Sequence, residues 1–157
     1  MEKLLGIVLV GCMFMTCSCR NYVRETKTIY DENGIKFWVK VRGVEGIIYT
    51  VGPYIDFIAE NNTSSDILYL KEVIMKVNNS DMLKFGNGDY YTNDKLVGID
   101  FFLPLTISNN GSWKSVGEEL PDANKFAPGP IPCVLTTKFQ LNGVEKEVIR
   151  EFEIKVR

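Results

Sequence analysis

"DENGIKFWVKVR", residues 31–42, is the stretch from which the fold can be read. From Ile35 onward every second residue is apolar. Ile35, Phe37, Val39 and Val41 fall on one side of an extended chain, while Lys36, Trp38, Lys40 and Arg42 fall on the other. Successive strand side chains point to opposite faces, so this alternation predicts a half-buried β-strand and not a helix. Asn33-Gly34 stands just before it. That dipeptide accepts the positive φ angles of a two-residue hairpin turn, so it should join a strand at 28–32 to one at 35–41.

The same period of two recurs along the chain. Ile55, Phe57 and Ala59 alternate with Tyr54, Asp56, Ile58 and Glu60. Val97, Ile99, Phe101, Leu103, Leu105 and Ile107 form the longest series expected to point inward, and Cys133, Leu135, Thr137, Phe139 and Leu141 form another. Val148, Phe152, Ile154 and Val156 close the pattern. Further Asn-Gly pairs at 110–111 and 142–143 predict turns, the second joining strands at 134–141 and 144–156. "ENNTSSD", residues 60–66, reads as a polar loop. Residues 121–132 hold four of the six prolines, too many for a ladder strand, and read as a connection over one end of the fold. Ile67-Leu68-Tyr69-Leu70 is continuously apolar, so residues 66–77 contain either a bulge or a strand buried on both faces.

Seven or eight short antiparallel strands over residues 28–157 predict an all-β, two-layer β-sandwich, with a β-barrel as the alternative. In general shape only, this order resembles immunoglobulin-like domains, although their Cys…Trp…Cys marker is absent.

The amino terminus is of another kind. After Glu2 and Lys3, Leu4 to Met15 carries no charge, with Ile7-Val8-Leu9-Val10 at its centre. The uncharged run from Leu4 to Cys19 is 16 residues, short of the about 20 that a membrane span needs. It fits a secretory signal. Cysteine follows it three times, in "GCMFMTCSC", residues 11–19. The stretch resembles the signal of bacterial lipoproteins, which is cut before a cysteine carrying a diacylglyceryl group. Leu9-Val10-Gly11-Cys12 matches that pattern in letters but leaves a short signal and an apolar Met13-Phe14-Met15. Cys17 follows the bulky Thr16. Cys19 follows Ser18 and opens onto the polar Arg20-Asn21. The resemblance therefore implies a signal over 1–18, lipid attachment (palmitate among the acyl chains) at Cys19 with Cys17 and Cys12 as alternatives, a tether over 19–27 and a domain over 28–157. It also implies a bacterial envelope location, and Arg20 in place of Asp favours the outer over the inner membrane. Several acyl chains would hold a domain firmly at a bilayer without a span.

Composition narrows the chemistry. Twenty acidic residues against 18 basic give a net charge of −2, without the basic excess that nucleic-acid binding calls for. The chain has no histidine, which removes His-dependent nucleophilic catalysis, and Cys133 reads as a small buried hydrophobe. Zinc thiolate clusters and a phosphate loop are absent as patterns: Gly86-Asn87-Gly88-Asp89 lacks the trailing Lys-Ser/Thr. "FGNGDYYTND", residues 85–94, offers Asn87, Asp89, Asn93 and Asp94 as oxygen donors but lacks calcium-loop spacing, and reads as a solvated loop with a weak calcium site as the alternative. Glu145, Glu147, Glu151 and Glu153 read as a solvated strand face. No cofactor and no metal are expected. Trp38, amid Lys36, Lys40 and Arg42, is either an interface anchor or ordinary core, as is Trp113; Tyr90 and Tyr91 are either an adhesive tip or a cover for the core's end. The expected function is a non-catalytic binding or structural module for another envelope protein. The alternatives are a carboxylate-dependent enzyme on envelope glycans, or a glycan- or ion-binding module.

Overall fold

The computed structural model describes residues 20–42 and 53–157. Residues 1–19, with Cys12, Cys17 and the expected lipid site Cys19, lie outside the described residues, as does the segment 43–52.

The described chain is almost entirely strand: β1 Glu25–Glu32, β2 Ile35–Arg42, β3 Tyr54–Asn61, β4 Leu68–Val77, β5 Asp81–Phe85 and β6 Asn87–Thr92, followed by β7 Lys95–Phe102, β8 Leu105–Ile107, β9 Gly111–Ser115, β10 Glu118–Glu119, β11 Ile131–Leu141 and β12 Val144–Ile154. One sheet runs in the order β1-β2-β3-β9-β6-β7, with β10 also paired to β3. The other runs β12-β11-β4-β5, with β8 also paired to β4. Every pairing is antiparallel, and neither sheet closes into a barrel. The molecule is a two-layer sandwich.

Ile35, Phe37, Val39 and Val41 are all buried, as the alternation in β2 requires. Their facing layer is Leu68, Leu70, Val73, Met75 and Val77 of β4 with Ile131, Leu135 and Phe139 of β11. Phe37 meets Phe139 edge-on at 5.0 Å between ring centroids, tying the two sheets together. Each such side chain contributes about 1.5–3 kcal/mol by leaving water.

Turn chemistry accounts for the hairpins. Asn33 (φ 50°) with Gly34 (φ 83°) joins β1 to β2, and Asn142 (φ 52°) with Gly143 (φ 79°) joins β11 to β12. Asn93 and Asp94 (φ 49° and 60°) do the same between β6 and β7, as do Asn78 and Asn79 (φ 51° and 60°) between β4 and β5. Asn110-Gly111 is different: it carries the chain from β8 in one sheet to β9 in the other and makes no hairpin.

One open alternative is settled and two expectations change. In β4 the register against β11 slips at Lys138/Phe139, so Lys71 is unmatched. Leu68 and Leu70 face the core before this bulge and Val73, Met75 and Val77 after it, while Ile67 is exposed and Tyr69 half-buried, so the apolar run at 67–70 is not buried on both faces. The stretch expected as a tether, 19–27, is built into the fold from Arg20 onward. Tyr22 is buried, bridges Val156 and donates its hydroxyl to the Pro121 carbonyl at 2.7 Å; β1 already starts at Glu25. Its polar look reflects edge-strand alternation, not solvation. Finally, Val97, Ile99 and Phe101 do not belong to an inward series.

Candidate protein-binding surface

Trp113 and Tyr90, two of the four aromatics singled out from sequence, turn out to be core. Trp113 of β9 is fully buried, and its indole N–H donates to the Phe101 carbonyl at 3.0 Å. The ring passes beneath Gly88, where a Cβ would sit 2.6 Å from Trp113 Cε2 and would also meet the Lys114 carbonyl oxygen. Tyr90 of β6 is buried beside it. Its phenol oxygen accepts from the Ser108 backbone N–H at 2.8 Å and pairs with Ser108 Oγ at 2.8 Å. Neither ring can anchor a partner. Both were candidates only because a sequence cannot show what passes over a strand.

Tyr91 points the other way and is half-buried between Leu96 on β7 and Ser112 on β9. Trp38 is also half-buried, on the outer face of the larger sheet, between Thr28 and Ile58. Its indole N–H reaches Glu60 Oε1 at 3.2 Å. Trp38 is thus neither core nor a protruding anchor. The four aromatics do not form one patch.

Next to Tyr91 runs the surface that sequence reading missed. On β7, Leu96 is 55% exposed, Val97 61%, Ile99 64%, Phe101 38% and Phe102 65%. Strand β7 ends its sheet, and β6 is the one element with which it packs extensively. Its register carries two irregularities against β6: Gly88 pairs with Phe101 but Tyr90 with Gly98, and Tyr91 then pairs with Leu96. Asp100, at φ 61°, takes the strained step, and Asn87 Nδ2 donates to its carboxylate at 3.0 Å. Bulges coil a strand and re-aim its side chains. Here they leave large apolar groups open to water on a strand that the smaller sheet does not cover. The Phe101 ring folds back over Gly98, where a Cβ would lie 2.8 Å away, and packs on Tyr90 at 5.5 Å. The sequence signal was the Gly98 and Asp100 that interrupt an otherwise apolar run.

The remaining chemistry is structural. Asp56, on the outer face of β3, is fully buried; its carboxylate is met by Arg42 Nη2 and Nε, each at 2.9 Å, with Lys114 Nζ at 3.7 Å. Gly117 lies against this pair: a Cβ there would meet the Arg42 guanidinium and lie 2.8 Å from Asp56 Oδ1, so a larger residue would displace the ion pair. Cys133 is a free, buried thiol whose pKa burial pushes up to about 12, far from nucleophilic use. The Glu145 carboxyl is held low by hydrogen bonds from Lys71 and Gln140. Between β1 and β12 lies an open groove of about 530 Å³, edged by Asp31, Glu32, Glu147 and Arg150. The segment 85–94 is strand and hairpin turn, not an open loop. Among the described residues no cluster of three or more Cys, Asp or Glu side chains is placed to hold a metal, and no helix is long and apolar enough to cross a membrane.

No family model matches the chain, and no curated protein matches it.

Proposed function

We infer that this protein is a lipid-anchored bacterial envelope domain with a non-catalytic role, and that it engages a protein partner through β7. One observation carries the binding part: five large apolar side chains stand open within the seven positions from Leu96 to Phe102. Soluble domains rarely leave such groups contiguous and uncovered unless something docks on them. Aromatic residues at the end of the row, Phe101 and Phe102, are of the type that dominates interface energy. The anchor rests on the lipoprotein-like signal before Cys19. The residue after that cysteine, Arg20, is tied to the domain, donating to the carbonyls of Phe126 and Ala127 at 2.7 and 3.1 Å. A lipid on Cys19 would leave almost no slack between bilayer and domain.

Affinity capture from detergent-solubilised envelopes tests the reading, using tagged wild-type chain beside Phe102→Asp and the outer-face variant Lys84→Asp. The expected result is a protein retained by wild type and Lys84→Asp and lost from Phe102→Asp. Equal retention by all three would remove β7 from the account. Palmitate labelling of the wild-type chain, abolished in Cys19→Ser, tests the anchor separately.

A further inference from the structure

Strand β1 ends the larger sheet and β12 ends the smaller one, on the same flank of the sandwich. That flank is sewn at one end. Tyr22 bridges Val156 in antiparallel sense, the Val23 N–H donates to the Lys155 carbonyl at 2.9 Å, and Glu25 Oε1 accepts from the Lys155 N–H at 3.0 Å. Beyond these contacts the strands part. Strand β1 carries a bulge between Thr28 and Tyr30 against β2, and a bulge bends the strand that holds it. From there the two edges face each other across the open groove of about 530 Å³, a size within the about 300–1,000 Å³ of ligand sites. Its walls are unbroken runs, Thr28 to Glu32 on one side and Glu147 to Arg150 on the other. A strand that offers only side chains to a groove lines it with every second residue. Unbroken runs mean that the backbone itself forms the walls. Among the described residues β1 pairs along its length with β2 alone and β12 with β11 alone, so the groups that these walls turn into the groove have no ladder partner.

The side chains of the walls divide by face. Tyr30 stands opposite the buried Phe37 and Val148 opposite the buried Thr137, so both turn inward and floor the groove. Asp31 stands opposite Lys36 and Glu147 opposite Lys138, so both turn outward, one on each side of the mouth. Like charges there disfavour direct pairing of β1 with β12 and favour a cation between them. Glu32 adds a further acid, accepting from the Tyr30 hydroxyl at 2.9 Å, and Arg150 is the base in the lining. We propose that this groove takes an extended segment of a partner protein as an added strand. Apolar residues of that segment rest on Tyr30 and Val148, and the basic residues alternating with them meet Asp31 and Glu147. Since β1 and β12 run in opposite directions, the segment lies antiparallel to one edge and parallel to the other. Main-chain hydrogen bonds give strand addition its affinity, and alternate side chains give it specificity. The site is separate from β7, which ends the larger sheet at the edge opposite β1.

A capped peptide alternating valine with lysine is the probe, offered to the isotope-labelled full chain in detergent. NMR should show saturable shifts concentrated in the amides of residues 28–32 and 147–150. Altered peptides separate the parts of the proposal. Methylating the peptide's backbone nitrogens keeps its charges but removes its donors, and should weaken binding about tenfold or more. Glutamate in place of lysine should weaken it by a similar factor. Asp31→Lys combined with Glu147→Lys should invert the preference between the lysine and glutamate peptides. Both positions are exposed, so amides away from the groove should keep their shifts. Equal binding of the methylated and unmodified peptides would mean ionic adhesion without strand addition, and would overturn the proposal. Shifts centred on β7, or no saturable binding up to about 1 mM, would do the same. Shifts at residues 28–32 that grow with protein concentration alone would put a second copy in the groove and overturn the partner assignment. None of these outcomes bears on capture through β7.

Discussion

Gly88 sits where a Cβ would press on the Trp113 ring and the Lys114 carbonyl. Gly88→Ala should lower stability by about 1–3 kcal/mol, as overpacking of a core does, with denaturant unfolding as the measure. An unchanged midpoint would mean that Trp113 has room to shift. Titration gives a second test at this scale. The Glu118 carboxyl is held above its ordinary range by burial, and the Asp81 carboxyl below its range chiefly by the hydrogen bond from Lys125. The two have opposite signs in stability. Asp81 favours the fold above its unfolded pKa, and that support fades as the pH falls through its depressed folded value. Glu118 opposes the fold at neutral pH, and its penalty fades as the pH falls through its raised folded value. Side-chain NMR titration should place the Glu118 midpoint above, and the Asp81 midpoint below, those of ordinary carboxylates. The reverse order would contradict the burial of Glu118.

Elements are held together by polar groups as well as by the core. Asn61 ends β3 fully buried. Its amide donates to the Asp66 and Ile107 carbonyls at 2.9 and 3.0 Å and accepts from the Thr63 N–H at 3.1 Å and hydroxyl at 2.7 Å. Asn109 reaches the Thr63 and Asp66 carbonyls, and Asn142 binds the Ile67 N–H and the Asp66 carboxylate. The stretch "ENNTSSD" is therefore clamped between the sheets rather than left as a loose polar loop. Asn61→Ala strands two carbonyls and an amide and should cost about 2–4 kcal/mol in thermal or denaturant unfolding. Strand β7 behaves in the opposite way. Ile99→Asp should change monomer stability by no more than about 0.5 kcal/mol, the usual effect of a surface substitution. Ile35→Asp, one residue past the turn into β2 and fully buried, should prevent folding. Similar losses from both would return Ile99 to the core.

For the whole molecule, the two ends of the described chain are sewn together. The Val23 N–H donates to the Lys155 carbonyl at 2.9 Å and the Arg157 N–H to the Asn21 carbonyl at 2.8 Å, with Tyr22 buried between. A chain cut after residue 27 should be several kcal/mol less stable than one cut after residue 19, because it lacks Tyr22 and the start of β1. Equal melting temperatures would mean that residues 20–27 are a tether after all.

Alternation and turn chemistry determined most of the fold from sequence alone. Ile35-Phe37-Val39-Val41 and the Asn-Gly pairs at 33–34 and 142–143 act locally, through side-chain direction and through backbone angles that asparagine and glycine tolerate. The sandwich follows from them, because strands with one apolar face must stack on others of the same kind. Which apolar residues stay in water was decided only in three dimensions. Val97, Ile99 and Phe101 alternate as well as the buried series do, yet their burial depends on whether a facing strand reaches that far, and β7 lies at a sheet edge behind two bulges. Trp113 and Tyr90 were hidden for the converse reason: Gly88 and Ser108, distant in sequence, supply the space and the hydrogen bonds that make them core. Period and turn type are properties of neighbouring residues. Cover is a property of the packed molecule.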